Sequence, residues 1–246
     1  MTLSPDQFYS GLIAELYEPL AGSLPDPEPY ARFIERYGTP ALELGCGSGL
    51  PLLDLLDRGL EVEGLDASAD MLEVCRQKAE LRGLSPTLHH GLFQSFVLAK
   101  RFKSIYVPSA SFTLLTNDKD ALMALQQIRS HLQTGGALFL PLEVAGIDEM
   151  PLNVFKEHRD ASGALLRVAV TAASQSDDGR NVELTLRYEK HLPDGSMEQL
   201  ERVWQRRSWS EQQISELLGQ AGFDSWRILP KDAPAPRQVF TVIATV

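Results

Sequence analysis

Cysteine is nearly missing from this 246-residue chain, where Cys46 and Cys75 are the two representatives. Two thiols are too few for a disulfide framework or a cysteine-rich zinc site. Histidine is almost as thin. His89, His90, His131, His158 and His191 are scattered, with no H-x-x-x-H or C-x-x-C pair, so no metal site is expected. Long apolar runs are missing too, and nothing approaches the ~20 residues of a membrane span. The opening Met1-Thr2-Leu3-Ser4-Pro5-Asp6 lacks the basic and apolar regions of a signal peptide. Positive charge is in deficit, with 23 Lys+Arg against 33 Asp+Glu and a formal net charge of −10. No basic block of the kind that grips a phosphate backbone occurs. The expectation is a cytoplasmic, metal-independent protein of one domain, with neither nucleic acid nor membrane as partner.

What is present is a regular alternation. Residues 6–20 carry apolar side chains at helical spacing, a Pro-rich stretch follows, and residues 30–37 read as a second helix. From Thr39 the chain alternates between short apolar strands (41–44, 61–65, 86–90, 104–107, 137–142) and amphipathic helices (49–58, 69–82, 118–132). That order predicts a parallel sheet covered by helices. After Glu143 the pattern changes to period two over 164–173, 181–191 and 198–207, with Asp177-Asp178-Gly179 and Pro193-Asp194-Gly195 as turns. An inserted antiparallel sheet of three strands is expected there. A helix over 211–220 and strands over 225–229 and 238–246 close the chain. The division is a helical lid over 1–38, a core over 39–143 and 208–246, and an insertion over 144–207.

The chemistry concentrates in Glu43-Leu44-Gly45-Cys46-Gly47-Ser48-Gly49, between a strand and a helix. Glycines there let the backbone turn sharply and let a ligand approach the helix start. Asp66 follows 21 residues after Gly45, at the end of the next strand, where a carboxylate can accept from both ribose hydroxyls. Glu43 would repel a pyrophosphate and suits an ammonium group. Leu50 holds the place of the third glycine of the dinucleotide fingerprint. The electrostatics therefore favour S-adenosylmethionine, which carries an ammonium, a sulfonium and a ribose, over NAD.

The stretch Ala41-Leu42-Glu43-Leu44-Gly45-Cys46-Gly47-Ser48-Gly49 resembles the signature of class I S-adenosylmethionine-dependent methyltransferases. Leu65-Asp66-Ala67-Ser68 with Met71-Leu72 is similar to their second motif, and Thr134-Gly135-Gly136 to their turn into strand five. The resemblance implies a Rossmann-like α/β fold: a seven-stranded sheet with helices on both faces and its last strand antiparallel. It implies S-adenosylmethionine as cofactor, with S-adenosylhomocysteine as product. Gly45, Cys46, Gly47, Asp66, Ala67 and Met71 would then line its site, with Leu92 and Phe93 beside the adenine and Ser109 near the methyl. Leu92 stands where the family has a carboxylate for the adenine amino group; backbone groups or Gln94 can replace it. Tyr9, Tyr17-Glu18 and Tyr30 resemble the lid of the small-molecule branch that includes sugar N-methyltransferases and glycine N-methyltransferase-like enzymes.

Transfer from a sulfonium is an in-line displacement, so positioning supplies much of the catalysis. If a base is used, Glu143 or His158 is the candidate. Trp204, Arg206 and Arg207 read as a packed aromatic with solvated arginines, and His131 as a surface residue. The expected partner is a small-molecule acceptor methylated at N or O, and the chain is expected to be a monomer or homodimer. Two other readings remain open: a module that binds the cofactor or its product without catalysis, and a nicotinamide-dependent oxidoreductase.

Overall fold

The computed structural model describes residues 5–21, 25–143, 151–229 and 239–246. The chain begins with α1 (Pro5–Phe8), α2 (Leu12–Tyr17), α3 (Glu28–Tyr37), β1 (Ala41–Leu44), α4 (Leu52–Asp57), β2 (Val62–Asp66), α5 (Ala69–Leu81) and β3 (Leu88–His90). It continues with β4 (Phe102–Tyr106), α6 (Asp118–His131), β5 (Leu132–Glu143), β6 (Lys156–Arg159), β7 (Leu165–Gln175), β8 (Asn181–His191) and β9 (Met197–Arg207). It ends with α7 (Glu211–Ala221), β10 (Ser225–Leu229) and β11 (Val239–Thr245).

Seven strands form one sheet in the order β10-β11-β5-β4-β1-β2-β3. β1 pairs in parallel with both β2 and β4, whereas β11 runs antiparallel to β5 and β10. Every residue of β1 is buried, as expected of a strand covered on both faces. Its alternate side chains feed two apolar layers. Leu42 and Leu44 join a cluster with α6 and α7, and Ala41 joins one with α3, α4 and α5. The chain order reverses beside β1, since β2 lies on one side of it and β4 on the other. Such a switch point opens a crevice at the carboxyl ends of the strands.

The caps are those the composition invites. Ser68 accepts from the Met71 amide at the start of α5, Asn117 from Asp120 at the start of α6, and Ser210 forms a capping box with Gln213 at the start of α7. Gly222 ends α7 in the left-handed region.

Several expectations need correction. The helix expected over 6–20 is two short ones, because Gly11 at φ +56° redirects the chain. The helix expected over 49–58 begins only at Leu52, so the Gly-rich loop leads into a six-residue helix. β5 starts at Leu132, before the glycines rather than after them. The second sheet has four strands, in the order β6-β7-β8-β9. β6 was missed because Lys156-Glu157-His158-Arg159 is exposed throughout and has no apolar alternation to read. The strand expected from Gln238 begins at Val239, and Gln238 lies outside the described residues.

Gly49 is the tightest joint between the loop and the helices. Its φ is +94°, and a Cβ there would lie 2.8 Å from both Cys75 Sγ and Leu53 Cγ. Gly49→Ala combines left-handed backbone strain with overpacking, so urea unfolding should show a loss of about 2–4 kcal/mol.

Candidate active site

The crevice is a cavity of about 460 Å³ with contributions from the Gly-rich loop, the N-terminal helices, the turn after β4 and the second sheet. The loop is fixed from behind. The amides of Gly45 and Cys46 both donate to the Leu65 carbonyl, at 2.7 and 3.1 Å. The Gly47 amide donates to Asp66 Oδ2 at 2.8 Å, and the Ser68 amide to Asp66 Oδ1 at 2.8 Å. Each oxygen of Asp66 thus keeps capacity for one further donor. Burial raises the Asp66 carboxyl, and the Ser68, Gly47 and Ala67 amides work against that rise.

Glu43 sits directly behind the loop and is fully buried. β1 and β4 are in register at Glu43 and Tyr106, so both side chains leave the same face of the sheet. Tyr106 Oη donates to Glu43 Oε2 at 2.6 Å, while Oε1 is buried without a partner. Burial pushes the Glu43 carboxyl well above its ordinary value. A lone carboxylate oxygen beside a Gly loop fits a positively charged group brought in by a ligand.

The turn after β4 is Pro108–Leu114, and it is strained. Ser109 and Ala110 have φ of +54° and +57°, a region that residues with a Cβ avoid. Ser109 lines the cavity at this turn, and its backbone amide bonds the Tyr30 phenol. Tyr30 packs on Tyr106 and Phe139 behind the cavity, and burial raises its phenol to about 12.

The far wall is aromatic and apolar. On the second sheet, Val168, Leu186, Tyr188 and Trp204 share one face by strand parity and line the cavity. Tyr9 and Tyr17 come from the N-terminal helices, with ring centroids 5.4 Å apart and edge to face. Burial raises the phenols of Tyr9, Tyr17 and Tyr188, so all three remain protonated at neutral pH. Ser68 Oγ donates to the Tyr9 carbonyl, the Gly11 amide donates to Asp70, and Lys78 pairs with Glu18, which ties this wall to α5.

Of the residues singled out from the sequence, Tyr17, Gly45, Cys46, Gly47, Asp66, Ala67, Met71, Leu92, Phe93 and Ser109 line the cavity together. Glu43 and Tyr30 stand immediately behind it. The structure does not bring Glu143 and His158 there. Glu143, at the end of β5, pairs with Arg206 Nη2 at 2.5 Å, and His158 lies exposed on β6. Arg206 and Arg207 are buried, not solvated. Arg206 also reaches Thr113, and Arg207 bonds the Thr116 carbonyl and Asp118. His131 is buried as well, because its Nε2 accepts from the Leu98 amide at 3.0 Å and its ring packs on Phe96. Val168, Leu186 and Tyr188 were missed: alternation identifies the strands, but one sequence does not say which face meets the site.

Comparison with known proteins follows the same division. Residues 41–136 match the family model described as "Methyltransferase domain". A dTDP-3-amino-3,6-dideoxy-alpha-D-glucopyranose N,N-dimethyltransferase of Streptomyces fradiae is 32% identical over 145 residues, 56% of this chain and 55% of that protein. The cypemycin N-terminal methyltransferase of a Streptomyces species is 29% identical over 42% of this chain and 41% of its own length. The matches thus span about half the length of these curated relatives. The fold likeness is wider. The CcbJ methyltransferase of Streptomyces caelestis superposes with a TM-score of 0.74 at 19% identity, over 97% of this chain and 98% of its own. The S-adenosylmethionine-bound amino pentose methyltransferase CalS10 of Micromonospora echinaspora gives 0.69 at 20% identity, over 96% and 98%.

The partnerless Glu43 oxygen is a testable feature. Glu43→Gln keeps the shape and the Tyr106 contact and removes the charge. The native carboxyl holds its proton above the pH at which the unfolded one, near 4.5, has lost it. Wild-type stability therefore falls as pH rises through that interval. Thermal melts should show Glu43→Gln gaining on wild type between pH 5 and pH 8, by about 2–4 °C for each kcal/mol. S-adenosylhomocysteine binding should weaken about tenfold, because an amide cannot take up the negative charge that the ligand's ammonium would draw from the buried carboxyl.

Proposed function

We propose that the chain transfers the methyl group of S-adenosylmethionine to an amine of a small-molecule acceptor. The observation that carries this reading is one cavity lined by the Gly-rich loop and Asp66 on one side and by Tyr9, Tyr17, Tyr188 and Trp204 on the other, with the partnerless Glu43 oxygen buried behind the loop. Asp66 has capacity for the two ribose hydroxyls, and Glu43 complements the ammonium of the methionine portion. When bound, the sulfonium supplies an activated methyl group. The protein's part is to hold the acceptor nitrogen in line with it and to exclude water. Tyr9, Tyr17 and Tyr188 keep their protons at neutral pH and so offer hydrogen bonds rather than base catalysis. An acceptor that arrives as a neutral amine needs no base, whereas an alcohol does; this favours nitrogen over oxygen. Glu143 is assigned to anchoring Arg206. Because related proteins are named for amino sugars, amino sugars head the acceptor panel.

The test is calorimetric titration of S-adenosylmethionine and S-adenosylhomocysteine, followed by mass spectrometry of an amine panel incubated with the protein. Micromolar binding and a 14-dalton gain on an amine are the expected results. Binding without methylation of any acceptor would leave the non-catalytic module as the reading.

A further inference from the structure

Two tyrosines spend their phenols behind the Gly-rich loop: Tyr106 on Glu43 Oε2, and Tyr30 on the Ser109 amide. Three others, Tyr9, Tyr17 and Tyr188, line the cavity itself. Their phenols have no hydrogen-bond partner among the described residues, and none of them is among the side-chain oxygens sealed from solvent. These hydroxyls are therefore open to a ligand. The rings also converge. Tyr9 and Tyr17 stand 5.4 Å apart at 89°, which sets the face of one ring against the edge of the other and makes a corner. Tyr188 lies close enough for the Tyr17 phenol to raise its own, as it raises that of Tyr9. Trp204 offers less, because Phe8 stacks on its ring at 6.2 Å and the Arg206 guanidinium lies 4.9 Å from its centroid.

The surroundings of this corner suit positive charge. Aromatic faces attract cations, and rings set at angles to one another hold alkylammonium ions. Neutral phenol oxygens accept from any N–H that the ion retains. Among the described residues that line the cavity, the charged ones are Glu18 and Asp66, both acidic. Lys78 is held by Glu18 at 2.7 Å, and Arg206, whose charge reaches the Tyr9 phenol, is held by Glu143 at 2.5 Å. Amine methylation delivers such an ion. As the nitrogen–methyl bond forms, the sulfur–methyl bond breaks and its electron pair stays on sulfur. The positive charge passes to nitrogen, which later gives up a proton to water if it still carries one.

Resting on the amine-methylation reading, we propose that Tyr9, Tyr17 and Tyr188 form an alkylammonium subsite, which holds the acceptor nitrogen in the charged state it gains by methyl transfer. The subsite selects acceptors by the charge their nitrogen can carry. It also makes a permanently charged ammonium a ligand in its own right, bound beside the spent cofactor.

The experiment compares choline with 3,3-dimethylbutan-1-ol, which has the same shape with carbon in place of the charged nitrogen. Each is titrated by calorimetry into protein saturated with S-adenosylhomocysteine, separately from turnover. Choline is expected to bind about tenfold tighter than the alcohol. Tyr17→Leu and Tyr188→Leu should each bring that ratio close to one, whereas Tyr17→Phe and Tyr188→Phe keep the ring and should keep most of it. Circular dichroism reports that each variant is folded. The Tyr17 side chain is partly exposed, so Tyr17→Leu carries the test where Tyr188→Leu unfolds. Equal affinities in wild type, a ratio that survives the leucine substitutions, or no binding of choline overturns the subsite. So does a loss of S-adenosylmethionine affinity in Tyr17→Leu with choline binding unchanged, which would give the corner to the cofactor's sulfonium. Methylation of an amine without preference for choline overturns the subsite and leaves the amine-methylation reading. Preference for choline without methylation of any amine overturns that reading and leaves the subsite standing.

Discussion

Replacing Arg206 by methionine should lower the unfolding free energy by about 3–5 kcal/mol, the cost of breaking a buried pair from one side. Arg206 is 7% exposed and joins three parts of the molecule. Its Nη2 bonds Glu143 at the end of β5, its Nε bonds Thr113 in the turn after β4, and its guanidinium packs 4.9 Å from the Trp204 ring centroid. Methionine fills much of the same volume and returns none of the polar contacts. The Glu143 carboxylate, with a quarter of its side chain exposed, keeps partial access to water, which sets the loss toward the lower end of the range. Urea titration followed by circular dichroism measures it. Arg206→Lys, which retains charge but not the fork, should recover less than half. A loss below about 1 kcal/mol for Arg206→Met would mean that the pair does not hold the second sheet to the core.

Asp66→Ala should reduce S-adenosylhomocysteine affinity by about a hundredfold or more, near 3 kcal/mol. Two effects add. The ribose hydroxyls lose their acceptor, and the Gly47 and Ser68 amides lose theirs, so the loop is no longer held in the shape that admits a ligand. Asp66→Asn separates the two, because one amide oxygen remains for one of the backbone donors. It should fall between wild type and alanine in affinity. Calorimetry checks the order. If alanine bound as tightly as wild type, the assignment of Asp66 to the ribose would be lost.

The part of the cavity proposed for the cofactor was legible as a cluster because its residues are local. Glu43, the glycines and Asp66 lie within 24 consecutive residues, and strand–loop–helix order constrains where each must point. The opposite wall, proposed for the acceptor, was not legible. Trp204 and Tyr188 reach the site through the pairing of β8 with β9, and their neighbours Tyr9 and Gln94 come from far away in the chain. The two arginines show the same limit. On β9 they follow an alternation that suggests solvent on one side, yet Thr113, Thr116, Asp118 and Glu143 are waiting for them. His131 read as exposed because it ends an amphipathic helix; the Leu98 amide, in the loop after β3, buries it.

The ties that bring the N-terminal helices onto the second sheet set an order of assembly. Lys156 Nζ donates to the carbonyls of Leu20 and Ala21, and Lys190 pairs with Glu15, across 136, 135 and 175 residues of sequence. Closing loops of that length costs entropy that no local contact repays, so such contacts form late. The loop and Asp66 can meet once β1 and β2 exist. On a ribosome, the wall made by Tyr9, Tyr188 and Trp204 must wait until most of the chain has emerged. Until then Phe8, Tyr9 and Leu16 have no partners on the second sheet, which makes the first twenty residues the segment most in need of protection during synthesis.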